Sequence, residues 1–336
     1  MKEAMLYEKM EGGAVHCFLC SHHCQIPPGG RGRCGVRENR QGALYSLVYG
    51  KAVAANPDPI EKKPLFHFLP GSASFSLAAA GCNFACLNCQ NWEISQSPRE
   101  EGLIPGREIK PEEIVSRALR QRCGSISYTY TEPTIFFEYA YDSALLARAR
   151  GLKNVFVTNG YMTLSALETI APYLDAANVD LKSLRDDFYR KICSSSLQPV
   201  LDSIAGMLEH EIWVEVTTLI IPGYNDSERE LKDIAGFLRG LSPDLPWHVS
   251  GFHPNYRLTD AASTPPAALR RARRIGQEAG LKYVYTGNLP GDEGENTFCP
   301  ACRKTIIARS GFCLIDLQLR DGSCAFCGER IAGIWS

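Results

Sequence analysis

No apolar run in the 336-residue sequence reaches membrane-spanning length, so a transmembrane helix is not expected. Residues 1–9 lack the apolar centre of a signal peptide, and the expectation is a cytoplasmic protein. An excess of either charge is missing too: 36 basic residues against 37 acidic ones leave a net charge of -1. No global field draws such a chain to nucleic acid or to an anionic membrane, and neither is expected as a partner. The local exception, residues 270–274, carries apolar residues at helical spacing and reads as the solvated face of a helix. The sequon at Asn225-Asp226-Ser227 is idle without secretion.

Cysteine, by contrast, is abundant, with fourteen residues. In a reducing compartment that number points to metal rather than to disulfides. Four lie near the N-terminus (Cys17, Cys20, Cys24, Cys34), three on one short loop (Cys82, Cys86, Cys89) and four near the C-terminus (Cys299, Cys302, Cys324, Cys327). The three strays, Cys123, Cys193 and Cys313, read as packing residues.

The middle loop is the most informative. Its spacing lets consecutive thiolates curl round one inorganic core and bind three irons of a [4Fe–4S] cluster, leaving the fourth iron without a protein ligand. A zinc site fits poorly, because structural zinc closes four ligands in paired knuckles. Three buried thiols fit poorly as well, because the loop directly follows an apolar run, 75–80, that reads as a buried strand.

The C-terminal cysteines are two Cys-x-x-Cys knuckles a small hairpin apart, the layout of a zinc ribbon, with a single iron as the alternative. So short a tail has almost no core of its own, and bound metal must supply its folding energy. The N-terminal four, spaced by three, four and ten positions, suit zinc or a second iron–sulfur cluster, and His22 or His23 could replace one thiolate. Nothing in that stretch marks an electron-transfer partner, which favours zinc.

Hydrophobic residues make up 45% of the chain, enough for one large core with small appendages or for two modest domains. Residues 1–70 are rich in Gly, Pro and Cys and read as a metal-stapled lobe. From 71 to 290, β-rich runs at 75–80, 126–131, 154–158, 177–182, 212–220, 248–252 and 283–285 alternate with helical patterns. One helix opens at Pro111, with Ile114, Val115, Ala118 and Leu119 on one face. The fold class is α/β. The repeat predicts a parallel sheet closed into a partial (β/α) barrel, with a doubly wound open sheet as the alternative, and residues 291–336 form the zinc-ribbon-like module.

A barrel gathers functional residues at the C-terminal ends of its strands, and there the sequence sets Glu132, Thr158-Asn159-Gly160, Asp180 with Lys182, and His253. Alternation puts Asp180 and Lys182 on one side. Singly, Glu132 reads as a turn initiator, Asp180 and Lys182 as a weak surface ion pair and His253 as a core histidine. Together, at successive strand ends downstream of the cysteine loop, they read as a site.

In order, the cysteine loop, Thr131-Glu132-Pro133, Thr158-Asn159-Gly160, Asp180-Leu181-Lys182, Ile221-Pro222-Gly223-Tyr224-Asn225-Asp226 and Phe252-His253-Pro254 resemble the pyruvate formate-lyase-activating-enzyme branch of the radical S-adenosylmethionine (SAM) superfamily. Nearly end to end, with the N-terminal and C-terminal cysteines and residues 54–67, the chain is similar to the radical SAM member of the AmmeMemoRadiSam system. The resemblance implies reductive cleavage of SAM to a 5'-deoxyadenosyl radical that abstracts hydrogen from a substrate. It implies a [4Fe–4S] cluster on Cys82, Cys86 and Cys89, with Glu132 at the SAM amine, Asp180 and Lys182 at ribose and carboxylate, Asn159 in the same site and His253 near the nucleoside. It also implies a reduced flavodoxin- or ferredoxin-type donor, and as substrate a protein glycyl residue or a molecule handled with AmmeMemoRadiSam partner proteins.

Two positions depart from the pattern: Asn88 stands where an aromatic residue usually packs on adenine, and Val157 where the activating enzymes place Asp. The rival from another class is a non-catalytic iron–sulfur or zinc scaffold, or an electron carrier. A methyltransferase-type radical SAM protein is the rival among enzymes, but no extra reactive cysteine is placed for it.

Overall fold

A computed structural model describes residues 1–336. Its central sheet has eight strands: β1 (Ala54–Pro59), β2 (Ala73–Ala78), β3 (Ser125–Tyr128), β4 (Lys153–Thr158), β5 (Ala176–Asp180), β6 (Trp213–Ile220), β7 (Trp247–Gly251) and β8 (Val284–Gly287). They lie side by side in chain order. All neighbours from β2 to β8 run parallel, and β1 pairs antiparallel with β2. A doubly wound sheet would reverse its order at a switch point. This order has no reversal and curls one way, as a partial barrel.

The crossovers carry α1 (Pro111–Arg120), α2 (Phe137–Arg148), α3 (Leu164–Ile170), α4 (Gln198–Glu209), α5 (Glu228–Leu241) and α6 (Pro266–Glu278). Each helix turns an apolar stripe onto the outer face of the sheet. In α1 that stripe is Ile114, Val115 and Ala118, all buried, while Leu119, expected on the same face, is 37% exposed. Trp247, wholly buried under α6, donates from Nε1 to Thr218 at 2.9 Å. The basic run lies on α6, where Arg270 pairs with Asp292, and Arg271 and Arg273 donate to the Asp226 and Val284 carbonyls. No helix is long and apolar enough to cross a membrane.

The inner face is plugged from below. Residues 60–68 pass under the barrel, where Ile60, Leu65 and Phe68 pack on the inward Val155 and Ala176. Buried Glu215 accepts from the backbone amides of Phe66 and His67 and from His248. Residues 54–59, assigned from sequence to the N-terminal lobe, thus supply the barrel's edge strand.

The C-terminal module packs on β8 and on residues 66–71. Its three-stranded sheet (Thr297–Phe298, Thr305–Ser310, Cys313–Leu317) places Ile306, Ile307 and Cys299 in one cluster with Phe66, Tyr283 and Tyr285 of the barrel. The module was expected to lack a core. It borrows one from the barrel floor, and Ile334 exchanges backbone hydrogen bonds with His67 and Leu69 to fasten it.

Candidate active site at the strand ends

The loop after β2 is held by its backbone, which leaves its thiols free to point inward. Ala85 and Leu87 donate to the carbonyls of Cys193 and Ile192 at 3.0 and 2.9 Å, Gly81 donates to Ile94, and the Leu87 carbonyl accepts from Arg257. Residues Tyr189–Cys193 form a π-helical turn that ends on Ser194 in the left-handed region, a geometry frequent at functional sites.

The three thiols suit an iron–sulfur core. The Cys82 sulfur already accepts from the Phe84 amide at 3.4 Å, the kind of N–H···S contact that supports a bound cluster. Burial pushes the Cys82 and Cys89 thiols up, so their thiolates need a positive partner. Cys86 is held down by a hydrogen bond from Cys193, against the pull of burial and with help from Lys182. Of the three cysteine groups, only the C-terminal four bring their sulfurs within 4.8 Å of one another. The loop sulfurs are therefore spread wider than a single ion requires.

The other residues expected from sequence fall into two sets. Asp180 and Lys182 project from the end of β5 and pair at 2.8 Å, with side chains 40% and 19% exposed. Burial opposes the Lys182 ammonium, yet Asp180 and Cys86 outweigh it and hold its pKa well above the ordinary value. A cation thus stands between the strand end and the cysteine loop. Asn159 joins this set: its amide donates to Asn83 at 2.7 Å and lies 3.8 Å from the Cys82 sulfur.

Glu132 lies one layer deeper. It is fully buried; one carboxylate oxygen accepts from the Thr134 amide, the Thr134 hydroxyl and the Thr158 hydroxyl, and the other from the Asn159 amide at 2.8 Å. Burial raises its pKa against those donors. The carboxylate clamps the end of β3 to the end of β4 and thereby sets Asn159. His253 is exposed on the loop after β7, 3.3 Å from the Ser263 hydroxyl, and is no core histidine. Asn88 is buried, Val157 is half-buried on β4, and beyond the third cysteine of the loop Trp92 stacks on Tyr256 at 5.3 Å.

Sequence reading missed three participants. Cys193, assigned to packing, is buried but also acts on Cys86, lowering its pKa. Asn83 was passed over as a spacer between cysteines. Asp58, on β1, accepts from Ser76 and Lys63 at 2.6 and 2.9 Å and from the Tyr130 hydroxyl, and burial lowers the Lys63 pKa to about 8. The signal for this last group was the tandem of charges in Asp58-Pro-Ile-Glu-Lys-Lys63, which composition alone assigns to a surface.

At the other end of the chain, Cys299 and Cys327 stand 3.6 Å apart and Cys302 and Cys324 3.7 Å. Four thiolates at about 2.3 Å from a tetrahedral metal lie about 3.8 Å apart, so this group is shaped for one ion.

Comparison with known proteins agrees with this geometry. A family model described as the radical SAM superfamily matches residues 77–238. An uncharacterized protein of Methanocaldococcus jannaschii is 49% identical over 98% of this chain and 99% of its own length. The pyruvate formate-lyase-activating enzyme of Clostridium pasteurianum is 22% identical over 52% of this chain and 74% of its own. Among solved structures, a radical SAM methyltransferase from Sphaerobacter thermophilus shares the fold with a TM-score of 0.50 and 14% identity, over 69% of this chain and 70% of that one.

Proposed function

We propose, for a chain that belongs to the radical SAM superfamily, that it cleaves SAM reductively at the strand ends and abstracts a hydrogen atom from a substrate brought to the barrel mouth. Cys82, Cys86 and Cys89 would hold a [4Fe–4S] cluster, which when bound supplies one electron and one open iron.

The observation that carries this reading is the Asp180–Lys182 pair, closed at 2.8 Å at the end of β5, because it puts a fixed cation and a carboxylate at the strand end near enough to Cys86 for the charges of the two groups to act on each other. Lys182 suits the carboxylate of SAM and Asp180 its ribose hydroxyls. Asn159, set by Glu132, orients the Cys82 side of the loop. Glu132 would act on the SAM amine through that positioning, and His253 stands at the rim where the nucleoside would lie.

The C-terminal four would hold zinc. The electron donor would be a reduced flavodoxin- or ferredoxin-type protein. The substrate is a protein glycyl residue, as the likeness to activating enzymes supports, or a molecule handled jointly with AmmeMemoRadiSam partner proteins. Anaerobic reconstitution with iron and sulfide, then dithionite and SAM, with assay of 5'-deoxyadenosine, tests the reading: product is expected from the wild type and none from Cys86→Ala. A fully loaded and reduced wild type that gives no product returns the chain to a scaffold role.

A further inference from the structure

The N-terminal four cysteines belong to no step above. Cys17, Cys20, Cys24 and Cys34 line one enclosed pocket, together with Arg37 and the apolar Ile135 of the barrel. Zinc would require their sulfurs about 3.8 Å apart. The C-terminal four meet that requirement, whereas these do not share even a 4.8 Å sphere. A core containing several irons and sulfides spans the wider set.

Arg37 adds a second, independent sign. It is 1% exposed, its Nη1 lies 3.1 Å from the Cys17 sulfur, and its Nη2 pairs with Glu138. Its buried Nε has no partner. A guanidinium against thiolates offsets their charge, and a spare N–H suits an inorganic sulfide. Of the candidate nitrogen ligands, His22 also lines the pocket but its Nε2 is committed to the Asn83 carbonyl at 2.8 Å, and His23 is exposed beside His16.

The pocket also abuts the site. A Cβ on Gly81, which precedes Cys82, would lie 3.1 Å from the Cys34 carbonyl oxygen and 2.7 Å from Val36. Arg99 donates at 2.9 Å to both the Arg33 and the Cys82 carbonyls. Above this seam, Arg31, Arg33 and Arg99, all exposed, line a surface hollow floored by Gly32, Gly35 and Ala85. The hollow thus touches the neighbours of Cys34 and of Cys86.

We infer that Cys17, Cys20, Cys24 and Cys34 hold a second iron–sulfur cluster, of the [4Fe–4S] class, and that it is the port through which an acidic one-electron carrier protein feeds the SAM site. One electron leaves the reduced carrier and reduces this cluster. The same electron would then pass across the Gly81 seam to the centre held by Cys82, Cys86 and Cys89, where it would be consumed in breaking the sulfonium–C5' bond of SAM to methionine and the 5'-deoxyadenosyl radical. No proton or atom moves between the two sites. The inference rests on the proposed SAM cleavage for its purpose but not for its metal.

The test uses the full chain, reconstituted anaerobically. Wild type is expected to carry about eight irons and eight acid-labile sulfides, and Cys86→Ala and Cys24→Ser each about four. The Cys86→Ala chain, once reduced, should still give a cubane electron paramagnetic resonance signal. Four irons with two zincs in the wild type would overturn the inference, as would a Cys86→Ala chain without iron. If Cys24→Ser fails to fold, the Cys86→Ala spectrum decides alone.

For the port, Arg31→Glu/Arg33→Glu should lower the ratio of carrier-driven to dithionite-driven 5'-deoxyadenosine formation by about tenfold, with a weaker salt dependence. An unchanged ratio would overturn that role. Eight irons without dithionite-driven product would sink the SAM reading and leave the second cluster standing.

Discussion

Asn159 at the end of β4 donates its side-chain amide to Oδ1 of Asn83 across 2.7 Å, and the same nitrogen lies 3.8 Å from the Cys82 sulfur. One barrel strand is thereby tied to the loop that carries Cys82, Cys86 and Cys89. Glu132 stands behind it, accepting from the Asn159 backbone amide, so the loop is aimed by a chain of contacts from the buried sheet outward.

Asn159→Ala breaks that tie without removing a thiol. The expected result is a fall of about tenfold to a hundredfold in 5'-deoxyadenosine formation, the usual effect of losing a group that orients a metal ligand. Iron content should be near normal and the cluster's electron paramagnetic resonance spectrum altered. Activity and spectrum both unchanged would remove Asn159 from the site.

Gly81→Ala tests the close approach of the two cysteine loops. Its backbone sits at φ +103°, and the added methyl would meet Val36 at 2.7 Å. Strain and clash together should cost about 2 to 4 kcal/mol. Gly223→Ala, also at positive φ but with nothing within 4 Å, should cost about 1 kcal/mol. Chemical denaturation under anaerobic conditions compares them.

Arg37→Met leaves Glu138 buried and unpaired, which should destabilise the chain by about 3 to 5 kcal/mol. Arg37→Met/Glu138→Gln should recover part of that loss, since a neutral amide tolerates the site better than a lone carboxylate. Urea midpoints of the three proteins give the answer, and a single variant as stable as wild type would mean the pair contributes nothing.

His67 makes stability depend on pH. Burial lowers its pKa to about 4, and its nitrogens meet the Ala332 carbonyl and the Tyr285 hydroxyl at 2.7 and 2.5 Å. Between pH 6.5 and 4 the unfolded chain binds a proton that the folded chain refuses. Stability from the neutral ring is therefore whole above pH 6.5, declines by up to about 1.4 kcal/mol per unit as pH falls through that window, and is lost below the folded pKa. His67→Gln should show a flatter decline in urea melts at pH 7.5, 6 and 5.

Treating the chain with a chelator, or making Cys302→Ser, tests the C-terminal four as a metal site and should expose the barrel floor as well as the tail. Tyr283 and Tyr285 share their cluster with Cys299 and Cys324, and binding energy at such a site is folding energy. Limited proteolysis is expected to cut beyond residue 296 first. A drop of several degrees in the barrel's melting temperature should follow, with a tail that unfolds alone as the contrary result.

The sequence by itself determined the parts whose physics is local. Seven apolar runs became the seven parallel strands because each buries both faces. Cys82, Cys86 and Cys89 were singled out by their spacing as candidate ligands, and Asp180 and Lys182 share a side because a strand has a period of two. The tertiary structure decided what depends on approach between distant segments. It turned Leu119 to solvent and sent β1 to the barrel edge. It buried Glu132 as a clamp instead of leaving it in the mouth, and set Cys193 against Cys86. Above all, it set apart the two outer cysteine groups, of which spacing marked the C-terminal four as zinc knuckles and left the N-terminal four open. One closes on itself at 3.6 and 3.7 Å, while the sulfurs of the other do not meet within 4.8 Å and share their pocket with Arg37. Sulfur-to-sulfur distance is set by how two folded surfaces meet, and no count of residues between cysteines contains it.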